Sequence, residues 1–107
     1  MALVSKMSGD NSELVIHISD RFDFTLHREF REAYENAAKT GTPSRYIVDL
    51  KGTEYMDSSA LGMLLLLREY AGGDSADITI RHCTPAIKDI LAISNFQKLF
   101  DIEGMAG

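Results

Sequence analysis

The stretch RYIVDLKGTEYMDSSALGMLLLLREY, running from Arg45 to Tyr70, changes from one hydrophobic period to another within a few residues. Its first part, Arg45 to Leu50, is rich in Tyr, Ile and Val and reads as a strand. From Asp57 to Tyr70 the apolar residues fall on more than one face of a helix, so that helix is expected to be largely covered. Between the two lies Tyr55-Met56-Asp57-Ser58-Ser59-Ala60-Leu61-Gly62, where polar residues interrupt two apolar runs. Asp57, Ser58 and Ser59 can each cap the first free amides of the following helix, and a well-capped helix start accounts for them. The same cluster also sets one carboxylate and two hydroxyls at the positive end of a helix dipole, where an added phosphate finds amide donors. Such a phosphate brings a charge of about −1.5 to −2 beside Asp57 without unfolding the domain, which is switch chemistry and not catalysis.

The pattern continues on both sides. Glu13 to Ser19 alternates Leu14, Ile16 and Ile18 with Val15, His17 and Ser19, the period of a strand with one strongly apolar face. Leu26, Phe30, Ala33, Tyr34, Ala37 and Ala38 have helical spacing, with Thr25 as the expected N-cap and Gly41 and Pro43 as the stop. After a Gly72-Gly73-Asp74 turn, Ile78 to His82 alternates again, and Thr84-Pro85 opens a third helix that runs to about Ile93. Phe96, Leu99, Phe100 and Ile102 are expected to pack back on the core, and Met1 to Met7 to supply an edge strand. Strands that alternate with helices predict an α/β fold: one domain over residues 1–107, with helices packed against a mixed, mostly parallel sheet. Leu61, Leu64 and Leu65 are expected to face that sheet.

Composition narrows the function. The chain has 107 residues, 45% hydrophobic and 25% charged, enough for one folded core and too few for two. A net charge of -5 repels nucleic-acid backbones and anionic lipid, so neither is an expected partner. Cys83 is the single cysteine, which rules out an internal disulfide and suits a reducing cytoplasm. No signal-peptide pattern opens the chain, and the longest apolar run, Met63 to Leu67, is too short to cross a bilayer. Ser58 lacks the flanking glycines of a hydrolase elbow, and no Walker-type phosphate loop is present. His17, His27 and His82 have no paired metal spacing and read as strand or surface residues, so no metal or cofactor is expected.

The sequence resembles the STAS family, and within it the stand-alone bacterial anti-sigma factor antagonists. The likeness covers essentially the whole chain: Arg21-Phe22-Asp23 after the first alternating strand, Ile47-Val48-Asp49-Leu50, the Met56 to Gly62 segment, and the closing Ile90 to Ile102 pattern with Leu99-Phe100-Asp101. The resemblance implies a non-enzymatic partner-switching protein. The residue after the Asp, here Ser58, would be phosphorylated by an anti-sigma factor acting as a serine kinase with a histidine-kinase-like ATPase domain, and a serine phosphatase would reset it. Asp57, Ser59 and Gly62 would support the switch, Ser59 as a further cap. Asp23 would flank the partner-binding surface, although a turn or cap role explains an Asp there equally well. A second reading, also implied by the family, is an unphosphorylated interaction module that scaffolds a larger sensory assembly. The sequence departs from the family pattern at two positions. Asp20 stands where many relatives have a glycine, which matters if that residue needs a positive φ. Ala60 replaces a glycine after the two hydroxyl residues and should strengthen the helix.

Overall fold

A computed structural model of the chain describes residues 2–105. Its strands are β1 (Leu3–Met7), β2 (Glu13–Ile18), β3 (Asp20–Phe22), β4 (Arg45–Asp49), β5 (Thr53–Met56), β6 (Ile78–Arg81) and β7 (Asp101–Ile102). Its α-helices are α1 (His27–Ala37), α2 (Ser58–Tyr70) and α3 (Pro85–Ile93). The main sheet has five strands in the order β1-β2-β4-β6-β7, all parallel except β1, as the alternating pattern predicts. Each parallel step needs a crossover, and α1, α2 and α3 supply those from β2 to β4, β4 to β6 and β6 to β7. The edge strand expected from Met1 to Met7 is present from Leu3; Met1 itself lies outside the described residues.

Register explains how the core closes. Ile16, Val48, Ile80 and Ile102 stand opposite one another across four strands, and Leu14, Tyr46 and Ile78 form a second row. Both rows are buried in one cluster with Phe30 and Tyr34 of α1, Met63, Leu64 and Leu67 of α2, and Ile87 and Leu91 of α3. All three helices therefore cover the same face of the sheet. Ile47, of opposite parity, is also buried, but between Val15 and Thr79 on the helix-free face and apart from that cluster. Thr84 caps α3 by accepting from the Ile87 amide, with Pro85 in the first turn, as its sequence indicates.

Three expectations need correction, and one element is new. Leu64 is fully buried and Leu61 packs partly against the core, but Leu65 and its neighbour Leu66 are 39% and 51% exposed, so α2 keeps an uncovered apolar face. A run of four leucines exceeds the arc that one sheet can cover, since successive residues turn about 100° around a helix. Leu99 is also exposed, while Phe96, Phe100 and Ile102 bury as expected. Thr25 does not cap α1; Asp23 caps a short 3₁₀ turn, Phe24–Leu26, that leads into the helix. Finally, β3 and β5 form a separate two-stranded parallel sheet that the pattern did not reveal.

That small sheet is tied to the end of the main one. The buried Thr53 hydroxyl donates to the Ile18 carbonyl at 2.6 Å, and the Asp20 amide donates to the Gly52 carbonyl at 2.9 Å. Asp20 does require the left-handed region, at φ 64, and the β3–β5 register shifts between Asp20 and Arg21. Asp tolerates that conformation better than most non-glycine residues, so the turn forms without the glycine.

Candidate functional site

The small sheet brings two loops together that are far apart in the chain. Phe22 pairs with Met56, both side chains are buried, and the Asp57 amide donates to the Phe22 carbonyl at 3.4 Å. Immediately beyond, the two strands end in the same way. Asp23 and Asp57 are both extended, and each turns its carboxylate back on the following turn. Asp57 accepts from the Ala60 amide at 3.1 Å and so caps α2. Asp23 accepts from the Thr25 amide at 3.1 Å, from the Thr25 hydroxyl, and from Arg21 Nε at 3.2 Å. These bonds, with the Thr25 hydroxyl foremost, hold the Asp23 carboxyl below the ordinary carboxylate range despite partial burial.

With Asp57 making the cap, Ser58 is left as the exposed first residue of α2. Ser59 is half-buried in the same turn; the cap expected of it is made by Asp57. Gly62 lies one turn beyond Ser58 on the same helix face, exposed, with open space where a side chain would stand. Leu65 and Leu66 continue this surface. On the adjoining loop Phe24 is 69% exposed, large for an aromatic side chain. Arg21 joins the two segments: its guanidinium carbon sits 4.1 Å from the centroid of the Tyr55 ring while Nε holds Asp23. The β3–β5 pair thus brings Asp57 and the start of α2, which carries Ser58, Ser59 and Gly62, to the strand end that leads into Asp23. The sequence did not single out Phe24, and it gave Arg21 and Tyr55 no role; that Arg21 stands opposite Tyr55 is a signal only once β3 is seen to pair with β5.

Other polar groups lie elsewhere. Asp49, buried at the end of β4, accepts from the Lys51 amide and meets His82 Nδ1 at 2.8 Å and His17 Nδ1 at 3.3 Å. Burial pushes its carboxyl up, but the Lys51 amide and the two imidazoles outweigh this and the net shift is downward. Burial drives the half-buried Cys83 thiol up to about 11, which keeps it from acting as a thiolate at neutral pH. Among the described residues, no group of three His, Cys, Asp or Glu side chains is placed to hold a metal ion. No helix among them is long and apolar enough to cross a membrane. A surface concavity of about 250 Å³ beside β7 is lined by residues such as Thr79, Phe100 and Met105, and by none of the site residues.

The family profile described as "Mlab, STAS domain" matches residues 5–102. The chain belongs to the STAS-domain family. A STAS-domain containing protein of Pseudomonas aeruginosa is 55% identical over 102 residues, 95% of this chain and 99% of the relative. The fold is that of solved anti-sigma factor antagonists. SpoIIAA in its unphosphorylated form superposes with a TM-score of 0.74 at 17% identity, over 98% of this chain and 90% of that one. The phosphorylated form of SpoIIAA, a Bacillus cell fate determinant, gives 0.72 at 17% identity, over 94% and 90%. In this STAS domain the segment predicted to carry the switch opens α2, and the residue predicted to flank it stands on the next strand's end.

Proposed function

We propose that this STAS domain is a cytoplasmic anti-sigma factor antagonist that works by partner switching. The unphosphorylated chain binds an anti-sigma factor that is also a serine kinase with a histidine-kinase-like ATPase domain, and frees what that factor was holding. The kinase transfers the γ-phosphoryl group of its ATP to the Ser58 hydroxyl: the new bond is Oγ–P, ADP leaves, and the hydroxyl proton is lost. The phosphorylated chain dissociates until a serine phosphatase removes the group.

The observation that carries this reading is the exposed Ser58 hydroxyl at the first position of α2, freed from capping by Asp57 and set beside the Asp23 loop by the β3–β5 pair. The surface around it has the character of a docking site: Phe24, Leu65 and Leu66 are apolar and exposed, and Gly62 leaves the helix backbone open. A phosphate in its middle adds about −1.5 to −2 of charge next to Asp57, and a partner that covers it must strip its hydration. Each 1.4 kcal/mol or so lost is a tenfold loss of affinity, so a penalty of a few kcal/mol releases the complex. The test is mass-spectrometric mapping of the protein purified from its own cells, with and without the kinase gene. One phosphate on Ser58 that depends on that gene supports the reading; an unmodified Ser58 under all conditions favours the scaffolding module.

A further inference from the structure

The phosphosite reading leaves one residue of the surface without a task. Arg21 is a long cation on a three-residue strand, more than half exposed, with its guanidinium held from two sides: by the Asp23 carboxylate at 3.2 Å and by the Tyr55 ring at 4.1 Å. Both partners belong to the segments that frame Ser58. Arg21 precedes Phe22 and Ser58 follows Asp57, and the Asp57 amide and Phe22 carbonyl are hydrogen-bonded. Arg21 and Ser58 are therefore each one residue away from the same bond. The guanidinium already points along the strand toward that end, because its bond to Asp23 reaches two residues forward. Arg21 is exposed on one side of its pair with the buried Asp23, so solvent screens the pair, and Asp23 keeps its Thr25 amide and hydroxyl if the guanidinium leaves. A phosphate is a better partner for the fork of a guanidinium than a carboxylate that is already occupied.

We propose that Arg21 is the internal receiver of the Ser58 phosphate, moving from Asp23 to the phosphate oxygens when Ser58 is modified, so that the chemical change on α2 is felt by the Phe24-bearing loop on the neighbouring strand. This rests on Ser58 as the modified residue. It adds that the switch acts at two places: charge is added at Ser58, and the Asp23 loop loses the guanidinium that joined it to Tyr55. Because Phe24 lies between Asp23 and Thr25, a loosened loop weakens the same docking surface from its other side.

The experiment installs phosphoserine at position 58 of the full chain during translation, so that it needs no cognate kinase. Phosphorus NMR then follows the second ionisation of the phosphate against pH in the wild-type background, in Arg21→Met and in Arg21→Lys, while amide spectra follow Thr25. The expected result is a phosphate pKa lower by about half a unit or more in the wild type than in Arg21→Met, with Arg21→Lys between them. The Thr25 amide should shift on phosphorylation in the wild type and not in Arg21→Met. Equal phosphate pKa values in all three backgrounds, or a Thr25 amide unmoved by phosphate in the wild type, overturns the role of Arg21. The wild-type amide comparison stands even if Arg21→Met folds poorly. If the cellular site mapping finds Ser58 unmodified while these shifts are present, the receiver geometry holds and the phospho-switch reading fails; a modified Ser58 without the shifts fails Arg21 alone.

Discussion

Asp57 and Asp23 do the same structural work on neighbouring strands, which makes their substitutions informative in different ways. Asp57→Ala removes the cap of α2 and should cost about 0.5 to 2 kcal/mol, read as a lower urea midpoint. An unchanged midpoint would mean that Ser58 or Ser59 takes over. Asp23 is 8% exposed and holds three donors, so Asp23→Ala is expected to lower the melting temperature as well as partner affinity. Asp23→Asn keeps the cap, since Asn caps as well as Asp, and isolates the contribution of the charge. If Asp23→Asn matches the wild type in stability yet loses affinity, Asp23 serves the partner directly; a loss of neither confines it to the cap. At Asp20 the positive φ is steric: Asp20→Val should destabilise by about 1 to 3 kcal/mol because a β-branched residue fits the left-handed region worst. The sequence showed that this position was unusual, but a glycine preference states a backbone angle only after the structure gives one.

At the scale of the element, α2 is both a core helix and a surface. Leu64→Ala empties a fully buried site and should cost roughly 2 to 5 kcal/mol, whereas Leu65→Ala should stay within about 0.5 kcal/mol of the wild type while weakening partner binding. Equal losses from the two would show that Leu65 is as buried as Leu64. This division was not legible in Met63 to Leu67, because a continuous apolar run has no polar residue to mark its outer face. The strand-helix alternation, the stop at Gly41 and Pro43, and the Thr84-Pro85 start were legible because each rests on a local steric or capping rule. Strands β3 and β5 were not. With three and four residues they are too short for a period, and they are held by contacts such as Thr53 to Ile18 that span 35 residues of chain.

Across the whole molecule, a sheet covered by helices on one side places the Ser58 surface at one end and the Asp49 cluster on its helix-free face. Because the folded-state pKa of Asp49 is depressed, its stabilising contribution is complete above the unfolded carboxylate value near 4 and is lost as pH falls through the lower folded value. The stability difference between the wild type and Asp49→Asn should therefore shrink as pH falls below about pH 4; a difference that holds to the acid limit would place the effect in packing. The candidate surface, by contrast, uses residues from Arg21 to Leu66 that only the β3–β5 pair unites, which is why sequence supplied its members singly and not as a site. On the proposed function, a phosphate on Ser58 at this surface governs partner release. The most direct measurement is titration calorimetry of the wild-type chain, Ser58→Ala and Ser58→Asp against the partner kinase, with Ser59→Ala as the control. The account predicts that the wild type, Ser58→Ala and Ser59→Ala bind while Ser58→Asp binds at least about tenfold more weakly, a difference of about 1.4 kcal/mol. Equal binding by Ser58→Ala and Ser58→Asp would contradict it.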